Sequence, residues 1–191
     1  MRRWAGLIVL AVSLAMFTLI APSVAQQRQA LGHHVRFDLV KIAQGTALAG
    51  GSNFGLDASG DRVELTGSGE FKPGTRDAAG GGTFVHRHAA GSEFAHGVWV
   101  VTGFTSWTPG GGNFSQTGLT DGIGEASEAS AGIVKLDVQL FPEGGSPVTA
   151  MLEVHCHLPG ASIDIEEGIR LTVGPFFFVQ DGGVTIFHIL E

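Results

Sequence analysis

The sequence predicts an all-β fold, a single-domain antiparallel β-barrel or two-sheet sandwich of about eight strands, and three observations carry that prediction. Apolar residues recur at every second position in several short runs, whereas sustained helical spacing is almost absent. The runs are separated by Gly, Pro, Asp and Asn, the residues that tight turns demand. Glycine supplies 30 of the 191 residues, about twice its usual share of ~7%, which suits hairpin turns and sharply bent strands.

Residues 1–25 read as an N-terminal signal peptide. Arg2 and Arg3 form a cationic head, 4–21 an almost unbroken apolar stretch, and Ser23 and Ala25 the small residues before the cut. An uncleaved membrane anchor is the competing reading of the same run. With cleavage after Ala25, residues 26–191 make the β domain of a secreted or periplasmic protein. No Cys follows the apolar run to carry a lipid, so no membrane attachment is expected after cleavage.

The first strand follows from Val35, Phe37 and Leu39 alternating with Arg36 and Asp38, and the next from Val63 and Leu65 alternating with Arg62, Glu64 and Thr66. Strands are expected over 83–88, 97–104, 133–141, 149–158, 168–173 and 184–190, with 176–179 as a further extended piece. In 97–104, Val98, Val100 and Phe104 are expected on one side; in 133–141, Val134, Leu136, Val138 and Leu140 share a face. The pairs Gly144 with Gly145 and Gly182 with Gly183 read as hairpin connections, and the triple-glycine runs 80–82 and 110–112 as turns. Residues 105–132, rich in Gly and Ser and poor in aromatics after Phe114, read as a long flexible loop, either a flap over a site or a disordered bridge.

Composition restricts function. Eighteen acidic residues against eleven Lys and Arg give a net charge of −7, a field that repels phosphate, so nucleic acid is not an expected partner. The one cysteine of the chain, Cys156, precludes an intramolecular disulfide. Its alternation with Leu152, Val154 and Leu158 makes it a buried small hydrophobe, or else a reactive thiol. There is no nucleophile elbow, phosphate-binding loop or His-Glu-x-x-His helix.

Histidine is the concentrated chemical signal. Four of the eight form His86-x-His88 and His155-x-His157. Side chains two apart on a strand share a face about 6 to 7 Å apart at the backbone, from which two imidazoles can converge on a metal. A glycine (Gly80), five intervening residues, His86, Arg87, His88, and then Glu93 after four more residues resemble the first signature of the cupin family. That resemblance implies a double-stranded β-barrel in which His86, His88 and Glu93 hold a divalent transition metal. Pro142, Glu143 and Gly144 match the turn of the family's second signature, but position 147, where a third histidine should stand, is proline, and Val100 replaces an expected glycine.

In the second pair, Glu153, His155 and His157 share a face, either as the polar side of a half-exposed strand or as a metal or proton-transfer site. His188, alternating with Val184, Ile186 and Leu190, reads as a hydrogen-bonded core residue. Trp99 and Trp107 are candidate platforms, the first better explained as core and the second as exposed.

The function drawn from these features is noncatalytic binding of a small apolar molecule or a partner protein. Trp99, Phe104, Trp107 and Phe114 are the expected lining, and no cofactor is expected. The alternative is a cupin-like, metal-dependent enzyme using His86, His88 and Glu93.

Overall fold

A computed structural model of the chain describes residues 33–190, and the expected signal peptide lies outside them. Among the described residues there are twelve strands and one short 3-10 turn, Phe114–Thr117. In chain order the strands are β1 (His34–Ala43), β2 (Thr46–Ala49), β3 (Ser52–Leu56), β4 (Arg62–Lys72), β5 (Asp77–Arg87), β6 (Glu93–Gly111), β7 (Thr120–Asp121), β8 (Ala129–Pro142), β9 (Val148–Cys156), β10 (Gly168–Val173), β11 (Phe176–Gln180) and β12 (Val184–Leu190). No helix among these residues is long and apolar enough to cross a membrane.

All twelve belong to one sheet, which closes on itself. β3, β4, β5, β6, β8, β9, β10 and β11 pair antiparallel in succession, and β11 pairs back to β3. Closure satisfies backbone groups that an open sheet would leave at its edges. β4 is shared lengthwise: residues 62–66 pair with β3, and residues 68–71 pair with β1. β1 in turn pairs with β12, which reaches Ala129 and Ser130 at the start of β8. β3, β10 and β11 therefore wall one end of the ring, and β1 and β12 the other. β2 folds back on β1, and the two-residue β7 lies parallel beside β2.

The core follows the alternation. Val35, Phe37 and Leu39 of β1, Val134, Leu136 and Val138 of β8, and Leu152, Val154 and Cys156 of β9 are all inaccessible to solvent. Every run expected as a strand is found in one, whereas β2, β3 and β7 are additions. They are short and lie in glycine-dense or polar stretches where a period of two has no room to show.

Three local expectations are corrected. Trp99 and Val101 face the core while Val98 and Val100 stand 48% and 41% exposed, because a bulge between Val101 and Gly103 switches the parity of β6 before Phe104 turns inward. Residues 105–132 are not one loop: β6 continues to Gly111, pairing with β8 as far as Ala131, and only 112–128 lie between the two strands. Packing of the half-buried Trp107 against Phe71 and Phe187, with ring centres 5.1 and 4.7 Å away, holds that extension in place. Gly80, Gly81 and Gly82 lie inside β5, opposite Gly69, Ser68 and Gly67. The reason is steric: a Cβ on Gly82 would stand 1.8 Å from the carbonyl oxygen of Thr66 and one on Gly80 2.6 Å from that of Ser68, while across the pair a Cβ on Gly67, whose φ is +135°, would stand 2.8 Å from Cζ2 of Trp99. The indole passes over this stretch and donates its Nε1–H to the carbonyl of Thr66 at 2.9 Å.

Candidate functional site

Four connections gather at one end of the ring: 57–61 between β3 and β4, 88–92 between β5 and β6, 143–147 between β8 and β9, and 174–175 between β10 and β11. The strand ends beneath them surround a cavity of about 190 Å³. Val63 of β4, Phe84 of β5, Leu140 of β8, Leu171 of β10 and Phe178 of β11 form its inner wall, and Phe94, Val148 and Phe176 its rim. Period-two alternation aims these side chains inward from seven different strands. His86 is the only polar side chain among the lining residues.

His86 is 7% exposed. The rings of Phe94, Phe178 and Phe176 meet it edge to face at 4.8, 5.2 and 5.5 Å. Its Nε2 lies 3.4 Å from Oδ2 of Asp61 and has no hydrogen-bond partner. Burial pushes the imidazole below its ordinary range, and the attraction of Asp61 does not make up the loss. Asp61 comes from the 57–61 turn, which Asp57 organises by accepting the backbone N–H of Ser59 and of Asp61. The carboxylate of Asp61 accepts the N–H of Ala89 at 2.9 Å and meets Nδ1 of His88 at 3.1 Å. Burial opposes its ionisation, but the Ala89 N–H and His88 outweigh that and hold it below the usual carboxylate range.

The expected metal set is not assembled. β5 ends at Arg87, so His88 sits in the turn, its ring centre 6.2 Å from that of His86. Glu93 pairs across from Arg87, the residue that faces away from His86, and its Oε1 meets Nδ1 of His96 at 2.6 Å instead. No group of three His, Cys, Asp or Glu among the described residues stands in position to hold a metal ion.

His96 forms an exposed bridge across the rim, its Nε2 reaching Oε2 of Glu143 at 2.5 Å. Hydrogen bonds to Glu143 and Glu93 raise its pKa above 6.5. Because the folded value is the higher one, this contact between β6 and the 143–147 turn is complete below pH 6.5 and fades as pH rises through the raised value. A histidine NMR titration should therefore place the His96 midpoint above 6.5, and Glu143→Gln should bring it down. A midpoint at or below the ordinary value would contradict the bridge.

The four aromatic residues expected to line a ligand site lie elsewhere, and none borders this cavity. Trp99 is 1% exposed, and Phe104 and Phe114 are buried in the same core cluster. Trp107, expected to be exposed, packs on Phe71 and Phe187. Cys156 is buried, and burial pushes its thiol well up. His155 is buried on Glu153 at 3.0 Å, with Lys135 on the other carboxylate oxygen, while His157 is exposed. His188 is the buried, hydrogen-bonded residue its pattern implies, with Nε2 2.8 Å from Asp121.

Asp61 was legible through hairpin register. Lys72 pairs with Asp77 across the four-residue turn, and the same register carried to Arg62 and Arg87 sets Asp61 beside His88. Neither a protein-family model, nor a curated protein, nor a solved structure matches the chain.

Proposed function

We propose that this is an exported protein that binds a small apolar molecule in the mouth of its closed β-sheet, without a catalytic role. The cavity carries the reading: it is an opening lined by hydrocarbon, apart from His86, at one end of the buried hydrophobic core. Cavities of about 150 Å³ lined by Leu, Ile and Phe stay dry and admit benzene, so about 190 Å³ is room for a small ring system. Phe94 and Val148 on the rim are 56% and 39% exposed, and a seated ligand would cover apolar surface they now leave in water.

Ala95 lines the cavity, so Ala95→Phe should fill it. Titration with the neutral fluorescent probe N-phenyl-1-naphthylamine is expected to saturate with the wild-type protein. Ala95→Phe should weaken it at least about tenfold, since burying one ring is worth about 1.5–3 kcal/mol. Val100→Ser on the outer face should leave it unchanged. Undiminished binding by a folded Ala95→Phe variant, or no saturable binding by the wild type, would remove the proposal.

A further inference from the structure

The proposed site contains one polar group that the fold leaves unsatisfied, and it selects among apolar ligands. The side chain of His86 is 9% exposed, yet its Nε2 has no hydrogen-bond partner. Phe94, Phe176 and Phe178 press hydrocarbon against the ring and offer no lone pair in its plane. Asp61 is already engaged by His88 and Ala89, and its Oδ2 stays 3.4 Å away. A buried polar atom without a partner is costly; His86 lines the cavity, and a ligand hydroxyl toward which the imidazole turns a nitrogen supplies the partner that Nε2 lacks where it now lies, out of reach of solvent.

Resting on that reading of the cavity, we infer that the ligand is an apolar molecule bearing one neutral hydroxyl, a phenol or alcohol, which hydrogen-bonds to His86. A neutral imidazole has one N–H and one bare nitrogen, and a hydroxyl both donates and accepts, so it satisfies whichever nitrogen it meets. A carboxylate only accepts, and it would enter a mouth carrying Asp57, Asp61, Glu93 and Glu143 on a chain of net charge −7. An ammonium would shed its hydration against a hydrocarbon wall.

Competition against N-phenyl-1-naphthylamine with naphthalene, 2-naphthol and 2-naphthoate holds the ring system constant and changes the polar group. In a site without a partner the hydroxyl loses its water for nothing, and 2-naphthol binds more weakly than naphthalene. With His86 as partner, 2-naphthol should bind about tenfold more tightly than naphthalene, and 2-naphthoate more weakly than 2-naphthol. His86→Leu should abolish the advantage of 2-naphthol while leaving naphthalene bound. The wild-type order stands as a test even if that variant does not fold. Naphthalene binding as tightly as 2-naphthol, or 2-naphthoate binding best, would overturn the hydroxyl assignment and leave the apolar site standing. Failure of all three to compete would overturn both.

Discussion

Phe71→Ala is expected to destabilise the fold by about 3–5 kcal/mol, read as a shift of the urea midpoint at constant slope. Phe71 is 1% exposed at the end of the ring opposite the cavity, where β4 leaves β3 for β1. Its ring stacks on Phe104 at 5.6 Å and meets Trp107 at 5.1 Å and Phe187 edge-on at 6.2 Å. Those partners come from β6 and β12, so one ring joins the two courses of strands that the sharing of β4 separates. Truncation removes the transfer energy of a whole aromatic side chain, and the rigid sheet around it cannot collapse into the gap. The cavity, which shares no lining residue with this cluster, should still bind its ligand in the folded variant. A loss under about 1 kcal/mol would mean that the aromatic cluster does not lock the far end.

Asp121→Ala should cost about 3–5 kcal/mol at neutral pH, the range for removing one member of a buried pair. Oδ2 of Asp121 stands 2.8 Å from Nε2 of His188, and the two side chains are 3% and 1% exposed. Oδ1 accepts the N–H groups of Ile123 and Gly124, so one carboxylate both shapes the turn after β7 and fastens it to β12. Nδ1 of His188 is already buried without a partner, and the substitution would leave the second nitrogen in the same state.

The acid limb of stability follows from the same contacts. Burial works against the charged form, but His188 and the two N–H groups outweigh it and hold Asp121 below its ordinary 3.8. A carboxyl whose folded pKa is the lower one contributes stability that is complete above 3.8 and is lost as pH falls through the folded value. Urea midpoints measured at neutral pH and in steps below 3.8 should therefore draw closer together for the wild type and Asp121→Ala. A constant gap down to the lowest pH would contradict the assignment.

What the sequence makes legible is local. Alternation over Val134, Leu136, Val138 and Leu140 identifies a strand and its buried face, because the period of two survives wherever one side meets the core. It does not reveal bulges, and the single extra residue near Gly103 was enough to put Phe104 on the buried side with Trp99 and Val101 instead of beside Val98 and Val100. The cavity lay further out of reach, since its lining comes from seven strands that only ring closure brings together. His86 stands out as a chemical residue, but spacing along the chain alone groups Glu93 with it, whereas strand pairing sets which face a side chain takes. Aromatic residues in a Gly-rich stretch suggested an exposed platform. In the fold the glycines instead make room for those rings, as where a Cβ on Gly132 would lie 2.2 Å from Cη2 of Trp107.

A methyl NMR map of the Ala-, Val- and Leu-labelled protein during titration with 2-naphthol locates the bound ligand residue by residue. Saturable shifts should concentrate on Val63, Ala95, Leu140, Val148, Leu171 and Val173, which line the mouth cavity, while the exposed outer methyls of Val98, Val100 and Val179 stay still. Shifts confined to those outer residues, or an unchanged spectrum at saturating ligand, would contradict binding in that cavity.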